Sequence, residues 1–505
     1  MFNDFRADGE SPAYIQLKEY IETLITQGLM PLHHKLPSTR ELAGLLGVSR
    51  STVISAYEAL ERTGWIEAVK GRGNFVARAA AHLEDPPGTI DWGGRMGDRA
   101  LLAEEMDLMK HGVRWEKGMI AFTSIAPDER LFDMNGVKRA FLDRMALEGD
   151  VLLNYGYAQG YRPLMRHLMK YMQSKGVDTT GKDILITNGF TEGFDLLLSG
   201  IRRGSGRILC ENPTHQTAIK MMKLHGFEPA GVKMERDGMS MRELKTSLDG
   251  GSFDLAYLIP SYHNPTGIVT SPEKRMEMLR LLGEYEVPVV EDGFNEELRY
   301  SGAHAAPLIA CAGAGNSVAY IGSFSKILFP GIRVGWVVAD RELIGYLESL
   351  KRARSIHTST LDQALLFQYL HNGNFERYLK RARTEYKRKY ELAVQGCREH
   401  IPMKSMSGEG GLHVFVELQN GLSAREVLER CRELGVVFMP GDVFYTDGGG
   451  QSTLRIGFSR VSEEKIGEGL RIIGGVVKEL GKQKKAAERD KRKVPEAGGD
   501  HIDGA

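Results

Sequence analysis

Between residues 183 and 338 the chain repeatedly sets a short apolar run against a longer stretch of helical character. The runs are Asp183-Ile-Leu-Ile-Thr187, Arg207-Ile-Leu-Cys210, Leu255-Ala-Tyr-Leu-Ile259, Val287-Pro-Val-Val-Glu291, Val318-Ala-Tyr-Ile321 and Gly335-Trp-Val-Val338. Segments such as Pro272 to Tyr285 carry the helical pattern between them. Parallel strands need long crossovers, which helices supply, so this alternation predicts an α/β fold with a mainly parallel sheet. In such sheets ligands gather at the loops that follow the strands.

Those loops hold the residues of most chemical interest. Ser323-Phe-Ser-Lys-Ile-Leu-Phe-Pro-Gly-Ile-Arg-Val-Gly-Trp336 reads as strand, tight loop, strand, with Lys326 in a neutral-to-apolar setting. A partly desolvated ammonium loses its proton more readily, and the neutral amine attacks carbonyls to form a Schiff base. Ser323, Ser325 and Arg333 are suited to seat an anion beside it. An aldehyde and a phosphate together describe pyridoxal phosphate, although a basic loop on a solvated edge has the same composition. Asn188-Gly-Phe-Thr-Glu-Gly193 follows a strand and opens a helix, where free amides can meet a phosphate or simply make a turn. Asn264, in Ser261-Tyr-His-Asn-Pro-Thr-Gly267, can donate to a phenolic oxygen. Asp292 closes an apolar strand and needs a cation there, either a protonated pyridine nitrogen or an arginine.

A chain of 505 residues exceeds one core and suggests two or three domains. Lysine plus arginine balances aspartate plus glutamate at 66 each, so any DNA contact must come from local placement of charge. Cys210, Cys311, Cys397 and Cys431 are scattered without metal-site spacing, which points to reduced thiols and no metal. No apolar run reaches membrane-spanning length and the first residues lack a signal-peptide pattern; the expected location is the cytoplasm, away from membranes.

Residues 10–78 read as a separate head. Tyr14, Leu17, Ile21, Leu24 and Ile25 recur at helical spacing, and Gly28 ends that helix. Ser38 is placed as N-cap of a second helix with Glu41 as its capping-box partner. After Gly47-Val-Ser49 a third helix begins at Ser49 or Arg50 and stops at Gly64. Trp65-Ile-Glu-Ala-Val and Asn74-Phe-Val-Ala then form a hairpin around Lys70-Gly-Arg-Gly73. This is a helix-turn-helix followed by a wing. The third helix would present Ser49, Arg50, Ser51 and Thr52 to a major groove, while Arg40, Lys70 and Arg72 hold phosphates. Residues 79–118 break the composition at Ala79-Ala-Ala-His-Leu-Glu-Asp-Pro-Pro-Gly88 and read as a linker with a short helix near Leu101 to Met109. The large domain spans 119–480, with a helix at Leu422 to Leu434 and a strand at Val436 in a small C-terminal lobe; 481–505 lacks a hydrophobic face and is expected to be disordered.

Leu36-Pro-Ser-Thr-Arg-Glu-Leu-Ala43, Val48-Ser-Arg-Ser-Thr-Val53, Ala56-Tyr-Glu-Ala-Leu60 and Gly71-Arg-Gly-Asn-Phe-Val76 resemble the winged helix-turn-helix of GntR-family regulators. His33 departs from the glycine usual in that family's loop. The order of motifs in the large domain resembles fold-type I pyridoxal phosphate enzymes of the aminotransferase class I/II group, and the whole chain resembles MocR-type GntR regulators. The resemblance implies a Schiff base at Lys326, Asp292 on the pyridine nitrogen, Asn264 on the 3′-oxygen, and Ser323, Ser325 and Arg333 on the phosphate. It places Gly189, Phe190 and Thr191 in the phosphate loop, His215 where an aromatic ring stacks, and Arg455 on the carboxylate of an amino-acid ligand. Asn154-Tyr-Gly-Tyr-Ala-Gln-Gly160 and Pro127 to Phe132 match a segment bordering a neighbouring subunit's site, implying a homodimer. Phe294 stands where these regulators carry a tyrosine, which removes a donor to the 3′-oxygen, and Thr217 stands where one regulator type places an arginine for its effector.

The expected function is a regulator that binds double-stranded operator DNA and senses an amino acid or other small amino compound by external aldimine formation at Lys326. A working aminotransferase with an appended DNA module is the alternative, and a scaffold without cofactor is disfavoured by the presence of Lys326, Asp292 and Arg333 together.

Overall fold

The computed structural model describes residues 2, 5–7, 9, 11–77, 90–107, 113, 115–294, 296–302 and 304–491. The chain divides into two compact units, Met1–Gly97 and Asp98–Ala505.

In the first unit, Leu17, Ile21, Leu24 and Ile25 form the buried side of α1 (Ala13–Thr26). Helix α2 (Thr39–Leu46) starts with the anticipated capping box: Ser38 Oγ accepts from the Glu41 amide at 3.2 Å, and Glu41 Oε2 accepts from the Ser38 amide at 2.8 Å. Gly47 ends it in the left-handed conformation, φ 66°, turning the chain into α3 (Arg50–Arg62). Val53, Ala56, Tyr57, Ala59 and Leu60 of α3 are buried, and the Tyr57 hydroxyl donates to the Pro37 carbonyl at 2.8 Å. Strands β1 (Ile66–Val69) and β2 (Gly73–Val76) pair antiparallel, with Lys35 bridging to Phe75 beside them. His33, in the loop before α2, has φ 63°; the left-handed backbone that favours glycine is kept with a histidine in place.

The second unit has two sheets among its described residues. The larger runs in the order β4 (Lys182–Thr187), β11 (Gly335–Asp340), β10 (Val318–Ser323), β9 (Val289–Gly293), β8 (Leu255–Leu258), β5 (Arg207–Asn212), β6 (Glu228–Glu235), β7 (Gly238–Met239). β10, β9, β8, β5 and β6 are mutually parallel, whereas β11 runs antiparallel to both of its neighbours. Its register sets Gly335 against both Ser323 and Thr187, while Ile321 sits beside Asp292. The ends of four strands therefore meet in one row. Helices such as Gly189–Gly200 and Pro272–Glu284 cover this sheet and bury a continuous aliphatic and aromatic core.

The smaller sheet runs β12 (Met403–Ser407), β13 (His413–Leu418), β15 (Thr453–Gly457), β14 (Val436–Pro440), β3 (Ile120–Phe122). Its edge strand β3 is supplied from far upstream and pairs parallel with β14. Helix Asp98–Glu105 occupies part of the expected linker; Leu108 and Met109 lie outside the described residues. Lys220 Nζ donates to the Ala103 carbonyl at 3.0 Å and ties that helix to the large unit. The last helix, Glu463–Lys491, runs beyond residue 481 into the segment expected to be disordered. Lys484 Nζ there donates to the Asn420 and Gly421 carbonyls at 2.8 and 2.9 Å, a tertiary anchor that a polar sequence does not advertise. Residues 492–505 of that segment lie outside the described residues.

Candidate cofactor site and nucleic-acid interface

Lys326 is partly buried in the loop between β10 and β11. Its ammonium is pulled down to about 8, chiefly by burial and then by the Arg455 guanidinium; Asp292 opposes the shift. Asp292, at the end of β9, is buried and accepts from the Tyr257 hydroxyl at 2.7 Å. Burial pushes its carboxyl up to about 7, against the Tyr257 hydrogen bond and the charge of Lys326. A carboxyl in this condition gains from a fixed cation beside it.

Ser323 Oγ donates to Ser325 Oγ at 2.9 Å and accepts from the Ser325 amide at 3.1 Å. Arg333, with φ 50°, donates from Nη2 to the Asn188 carbonyl at 3.1 Å. Asn188 precedes helix Gly189–Gly200, whose first turn has no side-chain cap. Gly189 adopts φ 77°, and a Cβ there would lie 2.6 Å from Arg333 Nη2; the position needs glycine for conformation and for room. The helix start at Gly189, Phe190 and Thr191 thus adjoins a guanidinium, and Gly335 pairs with both Thr187 before that helix and Ser323, so the donors suited to a phosphate lie at neighbouring strand ends.

Asn264 is buried, its Oδ1 accepting from Arg455 Nη1 at 2.8 Å. Its Nδ2 has no partner among the described residues, so the amide has a donor in hand. Arg455 on β15 also donates from Nη2 to the Thr123 carbonyl at 3.0 Å and lies 4.9 Å from the Phe444 ring centre. Its Nε is buried without a partner among the described residues, and burial lowers the guanidinium to about 9. Both of its hydrogen-bonded partners are neutral, which leaves its charge available to a carboxylate.

His215 places its ring 5.6 Å from that of Phe190 and its Nδ1 4.0 Å from Asp292 Oδ2. Burial, Lys326 and Arg455 lower it to about 3, so the ring is neutral near pH 7 and able to cover an aromatic face. Phe294 is buried next to β9, with its ring 6.3 Å from that of His413. It offers no hydroxyl.

Tyr257 was missed in the sequence. Its signal is a lone hydroxyl inside the apolar run 255–259, which in a buried strand must find an acceptor. Glu211 was missed as well: it accepts from the Ile259 amide at 2.9 Å and lies 3.8 Å from His263 Nε2, in the loop that carries Asn264.

In the first unit, Arg40, Ser49, Arg50, Ser51, Lys70 and Arg72 are exposed and Thr52 is partly buried. Ser49 caps α3, its Oγ accepting from the Thr52 amide at 3.1 Å and lying 2.8 Å from both Ser51 Oγ and Thr52 Oγ1. Arg50 Nε donates to Thr39 Oγ1 at 3.4 Å, and the Arg72 guanidinium sits 5.9 Å from the Phe75 ring centre. Lys70 and Arg72 flank Gly71 at the hairpin turn. No group of three metal-ligating side chains occurs among the described residues, and no helix there is long and apolar enough to cross a membrane.

This architecture defines a helix-turn-helix head fused to an aminotransferase-type unit. Residues 122–473 match aminotransferase class I and II, and residues 13–76 match the bacterial regulatory proteins of the gntR family. The chain belongs to the aminotransferase class I and II family and carries a gntR-family head, the arrangement of MocR-type regulators. It is 30% identical over 414 residues to aromatic-amino-acid aminotransferase 1 of Thermococcus litoralis, covering 80% of this chain and 98% of that one. It is 25% identical over 469 residues to the probable rhizopine catabolism regulatory protein MocR of Rhizobium meliloti, covering 92% and 93% of the two chains. The crystal structure of α-aminoadipate aminotransferase from Thermus thermophilus, complexed with N-(5′-phosphopyridoxyl)-L-leucine, superposes with a TM-score of 0.69 at 30% identity, over 77% of this chain and 99% of that one. The pocket fits the family's cofactor, pyridoxal phosphate. Asn264 keeps a buried donor free, Asp292 lacks a full counter-charge, and Gly189 leaves the backbone open beneath Arg333.

Proposed function

We propose that this protein is a DNA-binding transcription regulator whose large unit uses pyridoxal phosphate at Lys326 to sense an amino acid or other amino compound. The observation that carries this reading is Arg455: a buried guanidinium whose hydrogen-bond partners among the described residues are neutral, close enough to Lys326 to depress its pKa. An amine site and a carboxylate receptor side by side suit an α-amino acid.

When bound, pyridoxal phosphate supplies an aldehyde that condenses with primary amines and a ring that withdraws electrons. Lys326 offers Nζ as the resident amine. Ser323, Ser325, Arg333 and the amides at Gly189, Phe190 and Thr191 would hold the phosphate. Asp292, oriented by Tyr257, would hold a proton at the pyridine nitrogen, Asn264 would donate to the ring oxygen and His215 would cover one face. A ligand whose amine competes with Lys326 while its carboxylate engages Arg455 favours one arrangement of the large unit. Only such differential binding can change how the head meets DNA. Arg40, Arg50, Lys70 and Arg72 supply the head's phosphate and groove contacts, and two chains acting as a homodimer read paired half-sites.

The test is to add amino acids to the purified protein. A lasting change in the visible spectrum without keto-acid release, absent in Lys326→Ala, supports the sensor. The likeness to the Thermococcus litoralis aminotransferase favours a second reading, genuine transamination. Sustained keto-acid production with an added acceptor selects that one.

A further inference from the structure

Helix α3 turns a mixed face to solvent. Arg50, Ser51, Ile54 and Glu58 are all exposed, Ile54 by 38%, while Val53, Ala56, Tyr57, Ala59 and Leu60 make the buried side. Ile54 lies four residues after Arg50 and three after Ser51, so the three share one surface of the helix. The hydroxyls at the helix start are engaged with one another: Ser49 Oγ is within 2.8 Å of Ser51 Oγ and of Thr52 Oγ1 and accepts from the Thr52 amide. That leaves Ile54 as an uncommitted apolar group on the outward face.

A single exposed isoleucine is ordinary on a protein surface. Its company sets this one apart. It follows Arg50 by one helical turn, about 5.4 Å, on a head that also exposes Arg40, Lys70 and Arg72. Cations at such positions hold phosphates and fix the register of a helix in the major groove, where the floor displays one apolar group, the C5 methyl of thymine. Hydroxyls and guanidinium cannot exploit that methyl; an exposed branched side chain can.

We propose that Ile54 is a specificity-determining residue of the head, reading a thymine through its C5 methyl one helical turn from the DNA contact made by Arg50. The inference rests on the DNA-binding reading above and deepens it by naming a base. A duplex is first selected from a random library with the full-length protein, and each thymine is then replaced singly by deoxyuridine, which lacks only the methyl. At one thymine per half-site, wild type should bind the deoxyuridine duplex about fourfold more weakly, the free energy of burying about one methyl group. Ile54→Ala, at an exposed position and with unchanged circular dichroism, should bind the two duplexes equally. The proposal is overturned if no deoxyuridine replacement weakens wild type, or if Ile54→Ala keeps the same preference. Failure of the library to yield any enriched duplex would instead overturn the DNA-binding reading, and this inference with it.

Discussion

Arg455 on the small lobe donates through Nη1 to Asn264 Oδ1, in the loop after β8, at 2.8 Å, and each residue has a further buried donor without a partner among the described residues, Nε on the arginine and Nδ2 on the asparagine. One contact thus holds two donors, which the proposed function assigns to a carboxylate and to a ring oxygen. Replacing Arg455 with glutamine should weaken α-amino acids ten- to a hundredfold, the range for losing a charged hydrogen bond of about 1.5–3 kcal/mol. A simple alkylamine without a carboxylate should bind as before. Parallel spectral titrations with the two ligand types check this.

The Asp292 carboxyl, pushed up to about 7 by burial, makes the cofactor-free protein sensitive to pH. A raised folded-state pKa adds stability that is fully present below the unfolded value of 3.8 and is lost as pH rises through about 7. Asp292→Asn should therefore gain on wild type as pH climbs from 4 to 8, by up to about 4 kcal/mol at 1.36 kcal/mol per unit. Loading with pyridoxal phosphate should abolish the advantage. Melting temperatures of both proteins, with and without cofactor, measure it.

Lys326 is lowered to about 8, so its nucleophilic form grows between pH 7 and 9. The rate of cofactor uptake by cofactor-free protein should rise through that interval and level off above it. Stopped-flow absorbance reads the midpoint. Arg455→Gln should move it upward, because the cation that helps depress Lys326 is gone.

Phe294 has no hydroxyl to offer, so under the proposed function Asn264 alone would donate to the cofactor's 3′-oxygen. Phe294→Tyr should stabilise the phenolate and lower the pH at which the bound cofactor changes colour. An unchanged spectrophotometric midpoint would refute this account of position 294.

Lys70 and Arg72 are exposed at the wing, and as the phosphate contacts proposed for them they would carry no base information. Lys70→Ala and Arg72→Ala should each weaken all duplexes to a similar degree and reduce the slope of log affinity against log salt by about one. Fluorescence anisotropy across a salt series distinguishes this from the base-selective loss expected at Ile54.

The head was the most legible part of the chain, because its rules are local. Ser38 and Glu41 are three residues apart, Gly47 ends one helix and Ser49 caps the next, and all of them act within a turn or two. The small lobe was less legible. Strand β3 comes from residues 120–122 and pairs with 436–438, a partnership that three residues cannot announce. Lys484 stabilises an unpromising helix end through carbonyls more than sixty residues away, which composition cannot show.

The sequence by itself determined the α/β alternation, the head and the identity of Lys326, Asp292, Asn264 and Arg333, since each is a matter of residue type and short-range spacing. Tertiary structure alone decided that these come together around Lys326 and Arg455. The antiparallel insertion of β11 sets Gly335 against Ser323 and Thr187, bringing the Arg333 loop onto the helix at Gly189, while the small lobe carries Arg455 to Asn264 from 191 residues away. Periodicity reports which face of an element is buried; it does not report what is buried against it, and the freed Asn264 donor and the raised Asp292 pKa exist only once those partners have met.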